Sequence, residues 1–286
     1  MTVSDRPVDE FAPAKINLCL HVTGRRADGY HLLDSFVVFA GAGDQVTVSP
    51  GRGLSLALDG PEAGSLSGEA DNLVMRAARA MGVTDTALAL WKTLPIASGI
   101  GGGSADAAAT LRALSRLTGI GLPDAGTVLA LGADVPVCLA GRPVRMQGVG
   151  EVMTALPPLP LLWMVLVNPR VPVSTPQVFA ALTSRDNPPV PALPTAALRT
   201  AAGLADWLAR ETRNDLAAPA RQVAPILSVV QDALASTPGC LLARMSGSGG
   251  THFGLFASEA DAFAAARALT TDHSAWWIAA APVLPG

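Results

Sequence analysis

The sequence predicts an α+β protein of two domains, and three observations carry that reading. The chain has 286 residues, half of them apolar, which is enough for two ordinary cores. Period-two and helical patterns are mixed in both halves. Pro157, Pro158 and Pro160 break the chain between the halves, so residues 1–158 and 159–286 are expected as separate domains.

In the first half, "FAPAKINLCLHV" alternates. Ala14, Ile16, Leu18, Leu20 and Val22 share one face, while Lys15, Asn17, Cys19 and His21 share the other, which predicts a half-buried strand. "GRRADGYH" reads as a turn, and "LLDSFVVFA", "DQVTVSP" and "LSLALDG" as further strands. "DNLVMRAARAMG" predicts a helix capped by Asp71 and stopped at Gly82. A strand at "TALALWKTL" leads into "ASGIGGGSADAAA", after which Ala107, Leu111, Leu114 and Leu117 recur at helical spacing up to Gly119. "PDAGTVLALGADVPVCLAG" reads as a helix entering a buried turn, and "RPVRMQGVGEVMTAL" as a hairpin.

The second half starts with the strand "LLWMVLVNP". A proline-rich stretch at 186–194 follows, then helices near 195–212 and 221–235 and the strand "CLLARMSG". Its end reads strand, helix, strand: "THFGLFAS", "EADAFAAARAL", "WWIAAAPV".

The net charge of −3 comes without a Lys/Arg block, which argues against nucleic acid or an anionic membrane as partner. Three scattered cysteines, Cys19, Cys138 and Cys240, suggest neither disulfides nor zinc and fit a reducing cytoplasm. No leader or bilayer-spanning segment is expected.

Glycines 99, 101, 102 and 103 directly before a helix expose backbone N–H groups at the positive end of its dipole, a fit for phosphate. A tight strand-to-helix turn explains them equally well. Neither a Walker A loop nor G-x-G-x-x-G is present. A second run, "MSGSGGTHFGLF", is either a hairpin turn or a further grip on the same ligand. Asp134 lies in an apolar segment without a basic neighbour in sequence, and Lys15 is an isolated cation in an apolar strand. Separately they read as a helix-cap or turn aspartate before Val135 and Pro136 and a solvent-facing lysine. Paired, they suit proton abstraction from a hydroxyl with charge stabilisation of a moving phosphoryl group. Tyr30 and His31 are either a planar-base contact or a structural turn pair.

Taken together, "FAPAKINLCLHVTGRRADGYH", "DNLVMRAA", "LPIASGIGGGSADAAA", "GADVPVCLAG", "RNDLAAPA" and "MSGSGGTHFGLF" resemble, in order and over nearly the whole chain, the GHMP kinase superfamily. "PAKINL" joined to "RxDGYH" is similar to its branch that phosphorylates a cytidyl diphosphate alcohol in non-mevalonate isoprenoid synthesis. The resemblance implies an N-terminal domain like ribosomal protein S5 domain 2 and a ferredoxin-like C-terminal domain, with the active site in the cleft between them. It implies Asp134 as base, Lys15 as its partner, and Asn17, Tyr30, His31 and Phe179 as substrate contacts. Pro95, Ile96, Ala97, Ser98, Gly99, Ile100, Gly101, Gly102, Gly103, Ser104 and Ala105 would hold ATP, aided by Ser246, Gly247, Ser248, Gly249 and Gly250. Mg2+ is expected to accompany ATP without a protein ligand. The alternatives are another small-alcohol kinase of the homoserine or mevalonate type, or a catalytically silent nucleotide-binding regulator. The oligomeric state is left open by the sequence.

Overall fold

A computed structural model of the chain describes residues 6–66 and 71–286. Two compact units interleave along the sequence. One comprises residues up to Lys15, Gly43–Ile96 and Gly101–Gly141; the other comprises Ile16–Ala42, Ala97–Ile100 and Arg142–Gly286.

Two long strands, β1 (Val8–Arg25) and β2 (His31–Pro50), pair with each other and run through both units. The segments read separately as "LLDSFVVFA" and "DQVTVSP" are thus one continuous strand. From Ala14 to Val22 every β1 residue is buried, not alternate ones, so the expectation of a half-buried strand fails. Such a run, polar on one face and apolar on the other, requires partners for its polar side chains as well.

In the first unit, β3 (Ser55–Asp59) runs parallel to β4 (Thr86–Trp91), and β4 pairs antiparallel with the Gln45–Pro50 half of β2. Between β3 and β4 lies α1 (Leu73–Ala80). Its cap is Asn72, whose side chain accepts from Met75 N, rather than the expected Asp71, which pairs with Arg79. Helix α2 (Gly102–Thr118) follows the glycine run and ends, as its pattern predicts, at left-handed Gly119. It packs against α1 and against α4 (Val135–Ala140), which follows α3 (Ala125–Leu131). Alanines at 105, 107, 108, 109 and 113 are buried, so α2 is enclosed by its neighbours on nearly every side.

In the second unit, the Leu33–Val37 half of β2 pairs with β5 (Val144–Gly148), which forms the expected hairpin with β6 (Val152–Ala155). A separate four-stranded antiparallel sheet contains β7 (Trp163–Asn168). Beyond β7 come α5 (Thr175–Ala180), α6 (Ala201–Glu211), α7 (Ala217–Val223) and α8 (Ile226–Ala235). Then follow β8 (Leu242–Met245), β9 (His252–Phe256), α9 (Glu259–Asp272) and β10 (Trp277–Pro282). The sheet order β10-β7-β9-β8 is the ferredoxin-like arrangement that the resemblance implies. Val165, Val167, Val230, Leu234, Phe256 and Leu269 form its core against α8 and α9. A second cluster, including Leu20, Val22, Val178, Leu216, Leu227 and Met245, anchors β1 to α5, α7 and α8.

Candidate active site

In the first unit, Lys15 Nζ donates to Asp134 Oδ2 at 2.8 Å. The lysine side chain is only 5% exposed, whereas that of Asp134 is 34% exposed. Asp134 occupies the position before α4 but makes no side-chain cap, which removes the reading of a simple helix cap. A buried ammonium beside a half-open carboxylate orients the carboxylate while leaving it accessible.

The glycine run has more than one physical cause. Gly101, at φ +64°, is the left-handed turn residue from which α2 starts. Gly99, at φ +74°, closes against the second glycine run: a Cβ there would lie 2.5 Å from Gly249 O and 2.7 Å from Ser246 O. Ser246 Oγ donates to Gly99 O, and Thr251 N donates to Ser98 O, so residues 97–100 and 246–251 form one hydrogen-bonded assembly within the second unit. Asn214 of "RNDLAAPA" donates to Met245 O and Gly247 O and braces that assembly. Ser248 Oγ meets Thr175 Oγ1 at 2.7 Å. Ile100 and Ala105 are core residues, so they serve the loop through backbone alone. Ile96 is 40% exposed, and Gly103 and Ser104 lie in the partly exposed first turn of α2.

Asn17 is buried. Its backbone N–H donates to Ser246 Oγ at 3.1 Å and its Nδ2 to Ser35 Oγ at 2.7 Å. His31 and Phe179 are brought together by the fold, their rings stacked with centroids 4.6 Å apart. Burial, with Arg25 and Arg185 nearby, lowers the His31 pKa and favours the neutral ring. Tyr30 is not brought into this stack and is 65% exposed.

One cluster was missed by sequence reasoning. Lys92 donates to Asp106 at 2.8 Å and to Asp44, all three fully buried in the first unit. Asp44 Oδ1 accepts from Thr93 N at 2.6 Å and Leu94 N at 2.8 Å, immediately before the loop. Asp106 lies in the second turn of α2, immediately after the loop. The cluster therefore ties both ends of the glycine run to one buried cation. Among the cysteines, burial pushes the Cys19 thiol up to about 11 and raises Cys138 as well, which makes both poor nucleophiles.

Residues 72–144 match the family of GHMP kinases N terminal domain, and residues 192–274 match GHMP kinases C terminal. The chain belongs to the GHMP kinase family. It is similar to a 4-diphosphocytidyl-2-C-methyl-D-erythritol kinase of Cereibacter sphaeroides, 59% identical over 96% of this chain and 98% of the relative. A Paramagnetospirillum magneticum protein of the same name is 55% identical over 96% of this chain and 97% of its own length. A crystal structure of 4-(cytidine 5'-diphospho)-2C-methyl-D-erythritol kinase superposes with TM-score 0.80 at 34% identity, covering 97% of this GHMP kinase and all of the solved chain. ATP is the cosubstrate of such kinases.

Proposed function

We propose that this GHMP kinase transfers the γ-phosphoryl of ATP to the 2-hydroxyl of 4-diphosphocytidyl-2-C-methyl-D-erythritol, in isoprenoid precursor synthesis. The observation that carries the chemistry is the Lys15–Asp134 pair in a chain more than half identical to enzymes of that name. Full-length identity at this level disfavours the homoserine, mevalonate and silent-regulator alternatives.

Asp134 accepts the hydroxyl proton as the oxygen attacks phosphorus, and the Lys15 ammonium stabilises the charge on the transferring group. The amides of Gly101 to Gly103 face the triphosphate from the start of α2, which favours anions there. Pro95 to Ile100 shape the approach, and Ser246 to Gly250 hold residues 97–100 in place. His31 and Phe179 supply a stacked platform for cytosine, Tyr30 closes over it from its exposed position, and Asn17 contacts the alcohol. Among the described residues, no group of three His, Cys, Asp or Glu is spaced to hold a metal. Magnesium is inferred as the companion of the ATP phosphates from the resemblance to GHMP kinases.

The boundary between the family's two domains is placed at 158/159, supported by the prolines and by the two family matches on either side. A cytoplasmic location is supported by the free cysteines. Among the described residues, no helix is long and apolar enough to cross a membrane.

The test is ADP release and phosphorus NMR of product with the cytidyl alcohol, homoserine and mevalonate in parallel. Phosphorylation of the cytidyl compound alone is expected. Turnover of homoserine or mevalonate without it overturns the assignment.

A further inference from the structure

We propose that Ser35 is a positioning residue: it fixes the polarity of the Asn17 side-chain amide so that a bare carbonyl oxygen faces the substrate. The inference rests on the function above and specifies what Asn17 recognises.

The argument is a count of protons. Ser35 is fully buried, and its Oγ lies 2.6 Å from Cys19 O. A carbonyl only accepts, so the single hydroxyl proton of Ser35 is committed to Cys19. What remains on Ser35 Oγ are lone pairs. The Asn17 side-chain atom 2.7 Å away must then be the donor, Nδ2. An amide orientation is ordinarily ambiguous by 180°, and here the hydroxyl resolves it.

Asn17 Oδ1 is left buried, with no hydrogen-bond partner among the described residues. The loop facing it carries no side chain to cover it: a Cβ on Gly247 would lie 3.5 Å from this oxygen. The Asn17 backbone is pinned by Ser246 Oγ, so the amide cannot swing away as a unit. A desolvated acceptor held in this way demands a donor. Phosphoryl oxygens have none to give, whereas an alcohol hydroxyl does. Asn17 therefore reads a hydroxyl of the acceptor alcohol, and Ser35 determines that it does so.

The experiment measures KM for each substrate, together with calorimetric binding of the cytidyl alcohol in the absence of ATP. Ser35→Ala removes the acceptor for Nδ2 and frees the amide to flip. KM and Kd for the alcohol are expected to rise about tenfold or more, while KM for ATP stays within about twofold. Ser35→Thr, which keeps the hydroxyl, is expected to restore alcohol binding. Ser35→Cys fills nearly the same space with a weak acceptor and serves if the alanine variant does not fold; the same selective rise is expected.

Unchanged alcohol binding in Ser35→Ala or Ser35→Cys overturns the proposal. So does an equal rise for both substrates together with a lower Tm, which is what a purely structural serine would give. If the unsubstituted chain binds the alcohol but does not phosphorylate it, the function fails while the Kd comparison still decides the role of Ser35. If it does not bind the alcohol, both readings are overturned.

Discussion

Lys15 and Asp134, 119 residues apart in sequence, meet at 2.8 Å with the lysine buried and the carboxylate half-open. Asp134→Asn keeps an acceptor for Lys15 but cannot take a proton. Its kcat is expected to fall about 10²–10⁴-fold, the usual contribution of a positioned base, with ATP affinity nearly unchanged by calorimetry. A kcat within tenfold of the parent would mean that Asp134 is not the base.

The two glycine runs approach so closely that a Cβ on Gly99 would lie 2.5 Å from Gly249 O and one on Gly247 would lie 2.7 Å from Gly99 O. Gly99→Ala places a Cβ 2.5 Å from Gly249 O at a positive φ. A loss of about 1–3 kcal/mol by chemical denaturation is expected, with a raised KM for ATP. Gly121→Ala, where nothing lies within 4 Å of the new atom, is the control and should change neither. Equal behaviour of the two variants would remove the packing explanation.

The two carboxylates on Lys92 are not equivalent. Burial pushes the Asp106 carboxyl up to about 7, Lys92 opposing and Asp44 reinforcing the rise, and its Oδ1 has no hydrogen-bond partner among the described residues. Asp44 uses both oxygens, one on Lys92 and one on two backbone amides. Asp106→Asn keeps one acceptor for Lys92 and is expected to cost about 1 kcal/mol or less, in the range of a neutral replacement of a buried ion. Asp44→Asn turns an amide NH2 toward either an ammonium or the backbone donors and is expected to cost about 3–5 kcal/mol, as breaking a buried pair does. Urea unfolding ranks the two, and the reverse order refutes the assignment.

The legible features were those whose cause is local. The glycine run and the capping Gly119 follow from backbone chemistry and short-range periodicity, whereas the ferredoxin-like strand order was implied by the family resemblance alone. Lys15 and Asp134 were visible as lone charges in apolar segments, although their pairing required the resemblance or the structure. Asp44 and Asp106 were not visible, because Asp44 stood at the start of a segment read as a separate strand, and Asp106 carried no reading of its own within the stretch that opens the helix. A signal existed in "ADAAAT": small residues on all sides of Asp106 imply a helix enclosed all round, where a carboxylate must find a cation. Ser35 gave no signal, since its importance lies in a hydrogen bond to the carbonyl of a residue in the neighbouring strand.

His252 provides a test by pH. It is fully buried in β9, neither ring nitrogen has a partner among the described residues, and burial with Arg221 nearby pushes its pKa down to about 3. The unfolded chain protonates this ring near 6.5. Between those values the unfolded state holds a proton that the folded state refuses, so stability falls as pH drops from about 6.5 toward 3, by up to about 1.4 kcal/mol per pH unit for one group. His21 and His31 shift in the same direction and add to the slope of the parent. His252→Leu removes only its own share. The difference in Tm between parent and variant is therefore expected to be constant above pH 7 and to move steadily in favour of the variant from pH 6.5 to 4. A difference that stays flat across that range would show that the ring is not kept neutral by the fold.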